Sequence, residues 1–197
     1  MKRLSMIAFV AGAFILISCK KDNTPDPAVV EQKDFLVNGN PTGGNFNFFN
    51  FSLGQEVSKT DSASNKWDFA MRFEKIIVNS GVSGPGQAGV QVTNTPFDQV
   101  KEAPQAGYKY DTTASQLAVK GDDWYTYNAQ TRSFSPIAGR TFIFRTATNK
   151  YAKLEILSAD PADDNGNLVV PPTRPTKIKY KIRVAYQADG SRSLLPQ

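Results

Sequence analysis

The sequence predicts an all-β fold in which antiparallel sheets pack as a sandwich, with long loops and little helix. Residues 177–186 alternate between apolar and basic side chains with a period of two. This alternation is typical of a strand with one buried face and one solvated face. Residues 67–78 show a similar alternation, and no apolar pattern of helical period extends over any length. Together these patterns favour strands over helices throughout the chain.

The segment 67–89 is predicted to be the central element of the fold. Residues 67–78 are expected to form one long strand, because their apolar alternation is broken only at Lys75. The following residues 79–89, Asn-Ser-Gly-Val-Ser-Gly-Pro-Gly-Gln-Ala-Gly, form a glycine-rich loop. Glycine permits backbone conformations that other residues avoid, so this loop is able to turn sharply or to approach another surface closely.

Further strands are predicted on both sides of this segment. Residues 34–37 form a short strand, and residues 46–53 form a phenylalanine-rich strand whose apolar phase shifts midway, as a β-bulge would produce. Residues 141–146 and 151–158 form a hairpin around the turn at 147–150. Thr95 and Pro96 are suited to begin a single helical turn. Weaker strand signals occur at residues 108–110, 116–119, 123–127 and 133–134.

The N-terminus carries the pattern of a bacterial lipoprotein signal. A basic start at Lys2 and Arg3 precedes an apolar run at 6–17, and Leu-Ile-Ser-Cys ends at Cys19 as a lipobox. Cys19 is the only cysteine, which fits lipid attachment and excludes a disulfide framework. We therefore expect a signal peptide over 1–18, a lipidated polar tether over 19–34, and one all-β domain over 35–197.

The charge balance does not indicate a nucleic-acid partner. The full chain has 23 basic and 18 acidic residues. Removal of residues 1–18 takes away Lys2 and Arg3, which leaves 21 basic and 18 acidic residues, a net charge of +3. The basic residues are scattered, except for the alternating face at 177–183. That face is interpreted as a solvated face or a protected sheet edge, and contact with an acidic partner or with lipid headgroups is the alternative.

The residue inventory excludes several kinds of catalysis. The chain has no histidine, and after lipidation of Cys19 it has no free thiol. Serine–histidine and cysteine–histidine nucleophiles are thereby excluded, and so is a histidine-bound metal. Acid pairs remain at Asp122 and Asp123 and at 160–164, but polar loops do not raise a carboxyl pKa as such catalysis requires. Asp163, Asn165 and Asn167 partly resemble a calcium loop, although an acidic turn is the preferred interpretation. We expect a protein that is not an enzyme.

Aromatic side chains are the principal candidates for ligand binding. They lie in a loop-rich region in which short strands are only weakly predicted. Rings on loops are able to line a cleft for a flat apolar ligand and to offer phenolic hydroxyls. The same rings are also compatible with a role in the core, and the pattern does not separate the two interpretations. The candidates are Tyr108, Tyr110, Trp124, Tyr125 and Tyr127.

Two motifs carry a family resemblance. Trp67-Asp68-Phe69-Ala70 fits a W-D-x-A strand, and residues 79–89 fit an N-S-G-x-S-G-x-G-x-x-G loop. With the lipobox, the tether and the aromatic strand before them, they make the chain resemble the HmuY family of Bacteroidetes haem-binding lipoproteins. The resemblance implies an all-β fold, a haem cleft between loop-bearing hairpins, an outer-membrane location facing the cell surface or the periplasm, and transfer of haem to a TonB-dependent receptor.

The chain departs from that family at the iron ligands. The best-known members hold haem iron with two histidines, and some relatives use methionines. Here histidine is absent, and the one methionine after the signal peptide, Met71, is predicted to be a core residue. Alignment places Asn128 or a neighbour at a ligand position, and Tyr125 or Tyr127 is able to ligate ferric haem as a phenolate.

The resulting functional expectation has two branches. In the first, the protein is a surface lipoprotein that binds haem or another planar porphyrin without histidine ligation, around residues 108–128. In the second, it has kept the fold, lost the haem site, and binds a protein, peptide or glycan partner.

Overall fold

The computed structural model describes residues 26–130, 133–170 and 173–195. The predicted signal peptide, Cys19 and the first part of the tether lie outside these ranges. Within them the chain forms eleven strands and three short 3₁₀ turns, and no helix is long and apolar enough to cross a membrane. The predicted all-β, antiparallel class is confirmed.

The strands build two sheets and a separate hairpin. Five strands form the large sheet in the order β1-β11-β10-β9-β6, and four form the small sheet in the order β3-β2-β4-β5. Strands β7 and β8 pair only with each other. The large-sheet strands are β1 (Val29–Asn38), β6 (Gly89–Thr93), β9 (Thr141–Arg145), β10 (Tyr151–Ala162) and β11 (Lys177–Gln187). The others are β2 (Asn47–Asn50), β3 (Gln55–Val57), β4 (Phe69–Arg72), β5 (Lys75–Val78), β7 (Tyr125–Asn128) and β8 (Ser133–Pro136).

The two sheets pack face to face around one aromatic core. The small sheet contributes Phe49, Phe69 and Met71, and the large sheet contributes Phe144 and Tyr180, all buried in one cluster. The rings of Phe69 and Phe144 lie 5.5 Å apart across the interface between the sheets. Each buried ring of this kind stabilises the fold by about 1.5–3 kcal/mol relative to an exposed one. The sandwich is therefore held mainly by phenylalanine packing.

The segment 67–78 is a hairpin, and the prediction of one long strand is wrong. Strand β4 pairs with β5 in antiparallel register, with Arg72 opposite Lys75. Phe73 and Glu74 form the two-residue turn, and Phe73 adopts a φ of 48°. A positive φ at the first turn residue suits the twist of a tight hairpin. Lys75, where the alternation breaks, marks this turn.

The phenylalanine-rich segment contains no bulge, so that prediction is also wrong. Strand β2 ends at Asn50, and the chain then turns into β3. Phe49 enters the core between the sheets, whereas Phe48 faces the other side and lies 4.9 Å from the Trp67 ring. Both faces of this sheet are covered, so the adjacent residues Phe48 and Phe49 are both buried. Two consecutive buried residues give the sequence the apparent shift in its apolar alternation.

The strand at the end of the chain has the predicted alternation. Ile178, Tyr180, Ile182 and Val184 of β11 are buried in the core. On the other face, Lys177 and Lys179 lie 3.9 and 3.1 Å from Asp164 and Asp34. Strand β11 lies between β1 and β10, so it is not a sheet edge.

Strand β1 is longer than predicted, because it pairs with β11 from Val29 to Asn38. The folded part of the chain therefore extends into the stretch predicted as tether. Of the weak strand signals, 125–128 and 133–136 form the β7–β8 hairpin, whereas Lys109 and Gln116 take part only in isolated bridges. The predicted helical turn near Thr95 is the 3₁₀ turn Phe97–Gln99.

Candidate functional site

The glycine-rich loop is folded onto the protein, and none of its residues lines the cleft described below. Asn79, which is fully buried, organises it: its side-chain Nδ2 donates to the carbonyls of Ser64 and Trp67, and its Oδ1 accepts from the backbone of Gly86. A Cβ at Gly84 would lie 2.2 Å from Asn79 Oδ1 and 2.5 Å from Trp67 Cζ2. A glycine at position 84 is therefore required for close packing against Trp67.

Two buried carboxylates fasten the loops around this hairpin. Asp68 accepts hydrogen bonds from the backbone of Phe51 and Ala147, at 2.8 and 2.9 Å. Asp111 accepts from the backbone of Val78 and Ala118, at 2.9 and 2.7 Å. Both carboxylates receive backbone donors that would otherwise be unsatisfied, so their role is structural. The Asp111 contact also positions the loop 112–121, which forms one wall of the cleft described next.

A cleft of about 270 Å³ lies beside the β4–β5 turn. The turn contributes Glu74, Lys75 and Ile76, and the β7–β8 hairpin contributes Tyr125. The remaining wall is the loop that follows Asp111. Its lining residues are Ala114, Ser115, Leu117, Val119, Lys120 and Gly121. The cleft thus combines an aliphatic wall, one aromatic ring and a charged rim, as sites for amphipathic organic ligands do.

An aromatic cluster supports the floor of this cleft. Tyr125 packs on Trp124 and on Phe134, with ring centroids 4.8 and 5.4 Å apart. Trp124 and Phe134 in turn pack on Tyr180, whose hydroxyl donates to the carbonyl of Phe73 at 2.6 Å. The turn that carries Glu74 and the hairpin that carries Tyr125 are therefore held together by one cluster of rings.

Two buried polar atoms near this cluster have no hydrogen-bond partner among the described residues. They are Glu74 Oε2, at the cleft, and Trp124 Nε1, beneath it. Native proteins rarely leave such atoms unpaired, so these two are the exceptions in this part of the fold. The Glu74 carboxylate also influences Tyr125. Burial, followed by repulsion from Glu74 and Asp122, raises the pKa of Tyr125, so its phenol form is favoured over the phenolate.

The structure does not bring the six predicted ligand-binding residues together. Trp124, Tyr125, Tyr127 and Asn128 lie on or beside the β7–β8 hairpin. Trp124 is fully buried, Tyr125 is half-buried, and Tyr127 is 61% exposed. Tyr125 and Tyr127 share one face of β7 because they are two residues apart. Among the described residues Asn128 accepts a hydrogen bond from the backbone of Gln130.

Tyr108 and Tyr110 lie elsewhere, against Arg145. The Arg145 guanidinium donates to the Tyr110 hydroxyl at 2.6 Å and lies 5.8 Å from the Tyr108 ring centroid. Arg145 of β9 lies opposite Tyr151 of β10 in the sheet register, and Tyr151 lies opposite Gln187 of β11. Tyr180, under the hairpin, is seven residues from Gln187 along β11. At about 3.3 Å per residue the Arg145 and Tyr180 positions lie roughly 23 Å apart along the sheet. The cleft described above is lined by Tyr125 and not by Tyr108 or Tyr110.

Two groups of cleft residues were not predicted from the sequence: those of the β4–β5 turn and those of the loop after Asp111. The break of alternation at Lys75 was the available signal for the turn. No comparable pattern marks Leu117 or Val119 as cleft residues, because their position depends on the Asp111 contacts. The acid pairs considered for catalysis do not converge. Asp123 accepts from its own turn at Lys120, and Asp163 accepts from Asn165 and Asn167.

No candidate metal centre is found in the described ranges, where acidic residues do not gather in groups of three or more. Met71 is fully buried in the core, 0% exposed, and faces no cleft. The fold and the cleft together define a two-sheet β-sandwich with a loop-lined, partly apolar cavity, an arrangement suited to binding.

The comparison with known families agrees with this class. The sequence profile described as HmuY protein matches residues 44–169, so the chain belongs to the HmuY family. The matched range includes the W-D-x-A strand, the glycine-rich loop and the cleft. The predicted family is thereby confirmed. No curated protein matches the chain.

Solved structures share the fold at low sequence identity. Apo PinO from Porphyromonas gingivitis is 12% identical, with a TM-score of 0.50 over 81% of this chain and 99% of that one. An apo HmuY analogue from Tannerella forsythia is 16% identical, with a TM-score of 0.47 over 79% of this chain and 96% of that one. A candidate HmuY-like heme binding protein from Bacteroides vulgatus is 13% identical, with a TM-score of 0.46 over 79% and 92%.

Proposed function

We propose that this protein binds haem or a related planar porphyrin in the cleft beside the β4–β5 turn. The observation that carries the proposal is the position of Tyr125, whose ring lies at the cleft and is supported from behind by Trp124 and Phe134. A supported aromatic face is a suitable surface for stacking a flat macrocycle. Membership of the HmuY family supports the same class of ligand, as does the name of one structural relative, a HmuY-like heme binding protein.

The size and lining of the cleft agree with a partly embedded ligand. Its volume of about 270 Å³ lies just below the range of about 300–1,000 Å³ that encloses drug-sized ligands. One edge of a porphyrin would contact Ile76, Leu117 and Val119. The rest would extend along the hairpin toward Tyr127, whose side chain is exposed on the same face as Tyr125.

Hemin titration tests the proposal. We expect a saturable shift of the Soret band at micromolar hemin. Replacing Tyr125 by Leu should weaken binding about two- to twelvefold, because an aromatic stacking contact contributes about 0.5–1.5 kcal/mol. Tyr110→Leu is the matched control, since Tyr110 is also partly exposed but contacts Arg145 away from the cleft. Absence of a shift in the unmodified protein would contradict the proposal and favour a protein, peptide or glycan ligand.

We further propose that the protein acts while anchored to the outer membrane through a lipid on Cys19, facing the cell surface or the periplasm. The lipobox that ends at Cys19 supports this location. By its resemblance to the family, the protein would hand its ligand over to a TonB-dependent receptor. Cys19→Ser should release the protein from the membrane fraction. If the variant stayed in that fraction after washing with carbonate, the anchor would lie elsewhere.

A further inference from the structure

The side chains at the cleft do not fit a site for haem iron. Histidine is absent from the chain, and Met71 is enclosed in the core. Burial and the carboxylates of Glu74 and Asp122 raise the pKa of Tyr125, which disfavours the phenolate that iron would require. The side-chain oxygen atoms that remain at the cleft belong to Glu74 and Ser115, and the exposed hydroxyl of Tyr127 lies beside it on the same hairpin as Tyr125. None of them is among the imidazole and thioether donors that most haem proteins use.

The same cleft is well supplied with groups that recognise the rest of a porphyrin. Ile76, Leu117 and Val119 offer an apolar wall, and Tyr125 offers a ring face. Two lysines line the cleft and are both exposed: Lys75 begins β5, and Lys120 lies at the end of the loop that follows Asp111. Within the described part of the chain neither ammonium group forms an ion pair, whereas Lys177, Lys179 and Arg183 on the sheet all do. Unpaired cations at an apolar cleft suit a ligand with carboxylate substituents.

We propose that this protein recognises a porphyrin by its ring face and its carboxylates, independently of the metal. It would therefore accept iron-free porphyrin dicarboxylates as well as haem. The inference rests on the proposed function and specifies its ligand class. Lys75 and Lys120 pair with the carboxylates, the aliphatic wall and Tyr125 contact the ring, and the centre of the ring receives no strong ligand from the protein.

Parallel titrations with hemin and with protoporphyrin IX test this inference. Quenching of tryptophan fluorescence reports binding of both molecules under the same conditions. We expect dissociation constants that agree within about threefold. Binding of hemin more than tenfold tighter than protoporphyrin IX would overturn the inference and leave the proposed function intact. Binding of neither molecule at micromolar concentration would overturn both.

Lysine variants locate the carboxylate contacts. Lys75→Gln and Lys120→Gln should each weaken hemin and protoporphyrin IX by the same factor, up to about fivefold, which is the range of one exposed ion pair. Lys59→Gln is the matched control and should leave both affinities unchanged, because Lys59 is also exposed and forms no ion pair with the described residues. The dimethyl ester of protoporphyrin IX should bind the unmodified protein as weakly as the free acid binds the double lysine variant. Equal affinities for ester and acid would overturn the carboxylate contacts.

Variants of Glu74 and Tyr127 test the opposite possibility, that the protein does ligate the haem iron. If either oxygen ligates iron, Glu74→Gln or Tyr127→Phe would weaken hemin and leave protoporphyrin IX unaffected. That result would overturn the inference. We expect instead that each substitution changes both affinities by the same factor.

Discussion

At the scale of single residues, Asp68 connects the two sheets. It immediately precedes β4 of the small sheet, and its carboxylate accepts from the backbone of Phe51 and of Ala147, the latter in the turn between β9 and β10 of the large sheet. Its own backbone N–H donates to the carbonyl of Phe49 at 2.8 Å. The acid of the W-D-x-A motif is therefore a structural bridge, and its contact with Ala147 lies 79 residues away in sequence.

Replacing Asp68 by Ala should destabilise the protein by roughly 2–6 kcal/mol, because two buried N–H groups lose their acceptor at about 1–3 kcal/mol each. Chemical denaturation at pH 7 measures this effect. Asp68→Asn keeps the volume and one acceptor, so we expect an intermediate loss. An unchanged unfolding midpoint in Asp68→Ala would show that water replaces the carboxylate at both donors.

The pH dependence of stability provides a second measurement on Asp68. Burial raises the pKa of this carboxyl above its ordinary value of 3.8, although the two backbone hydrogen bonds oppose the shift. The native state therefore holds a proton at pH values where the unfolded chain has lost it. This contribution to stability decreases as pH rises from about 3.8 through the raised pKa. The decrease should be absent from Asp68→Asn.

At the scale of elements, the sequence predicts strands better than it predicts their connections. The alternation in β11 is confirmed from Lys177 to Val184, where one face is buried and the other is more exposed, but it ends at Ala185, which is buried against Phe97. The β4–β5 hairpin was missed because Phe73, an aromatic residue, occupies the turn with a positive φ. Three contacts outside the turn hold it there: its N–H donates to Asn38, its carbonyl accepts from Tyr180, and its ring packs on Phe134. No local pattern encodes them.

The candidate site was only partly predictable for the same reason. The sequence marks the region 108–128 as loop-rich and aromatic, and Tyr125 of that region lines the cleft. Whether Tyr110 or Tyr127 also lies at the cleft depends on which strand of the large sheet its loop or hairpin packs against. The sequence cannot supply that information, since Arg145 and Tyr180, the contacts that separate the two groups, are distant in the chain.

The glycine-rich loop gives a prediction at this scale. Gly84→Ala should destabilise the protein by about 1–3 kcal/mol, because the added methyl would overlap Asn79 and Trp67 in a closely packed region. Gly43→Ala is the control, since the nearest atom to its added methyl, Asn40 Nδ2, is 3.5 Å away. Denaturation midpoints measure both. Equal effects of the two substitutions would contradict the close packing of the loop on Trp67.

The 3₁₀ turn Phe97–Gln99 is fastened to the large sheet by a buried lysine. Lys153 Nζ donates to the carbonyls of Phe97 and Val100 at 2.8 and 2.7 Å, and it lies 4.4 Å from the Phe97 ring centroid. Burial lowers the pKa of Lys153 to about 8; Arg183 adds to the shift and Asp98 opposes it. The native state thus releases this proton near pH 8, whereas the unfolded chain retains it to about pH 10.5.

Between about pH 8 and 10.5 the unfolded state binds more protons, so the contribution of Lys153 to stability increases with pH. Lys153→Met should lack this increase. At pH 7 it should also be less stable by about 1–3 kcal/mol, because two buried carbonyls lose their donor. Thermal unfolding across this pH range measures both effects. The exposed Lys101→Met should follow the unmodified protein, and parallel curves for all three proteins would contradict the assignment.

At the scale of the whole molecule, one core determines where the cleft lies. The rings between the sheets continue from Phe49 and Phe69 through Tyr180 to Trp124 and Phe134. The β7–β8 hairpin belongs to neither sheet, and its attachment to the sandwich depends on these last rings. A ligand that contacts Tyr125 is therefore expected to stabilise the hairpin together with the core, so binding and thermal stability should be linked.

The extent of the folded domain gives the last prediction. The sequence predicts that the domain begins near residue 35, whereas β1 pairs with β11 from Val29 onward, and Ala28 is buried against Phe97 and Ala185. A chain that begins at residue 35 loses six paired positions, Val29 to Asp34, and exposes the β11 edge from Lys181 to Tyr186.

Each hydrogen bond contributes a net value of about 0.5–1.5 kcal/mol, and about six lie in this part of the β1–β11 ladder. The free energy of unfolding of the chain that begins at residue 35 should therefore fall by at least ~3 kcal/mol. The uncovered edge should also promote aggregation. A chain that begins at residue 26 is the control and should unfold like the mature protein. The measurements are the denaturation midpoint and the monomer fraction by size-exclusion chromatography. If both shortened chains unfolded at the same midpoint as monomers, residues 26–34 would contribute no stability, and the domain would begin where the sequence alone predicts.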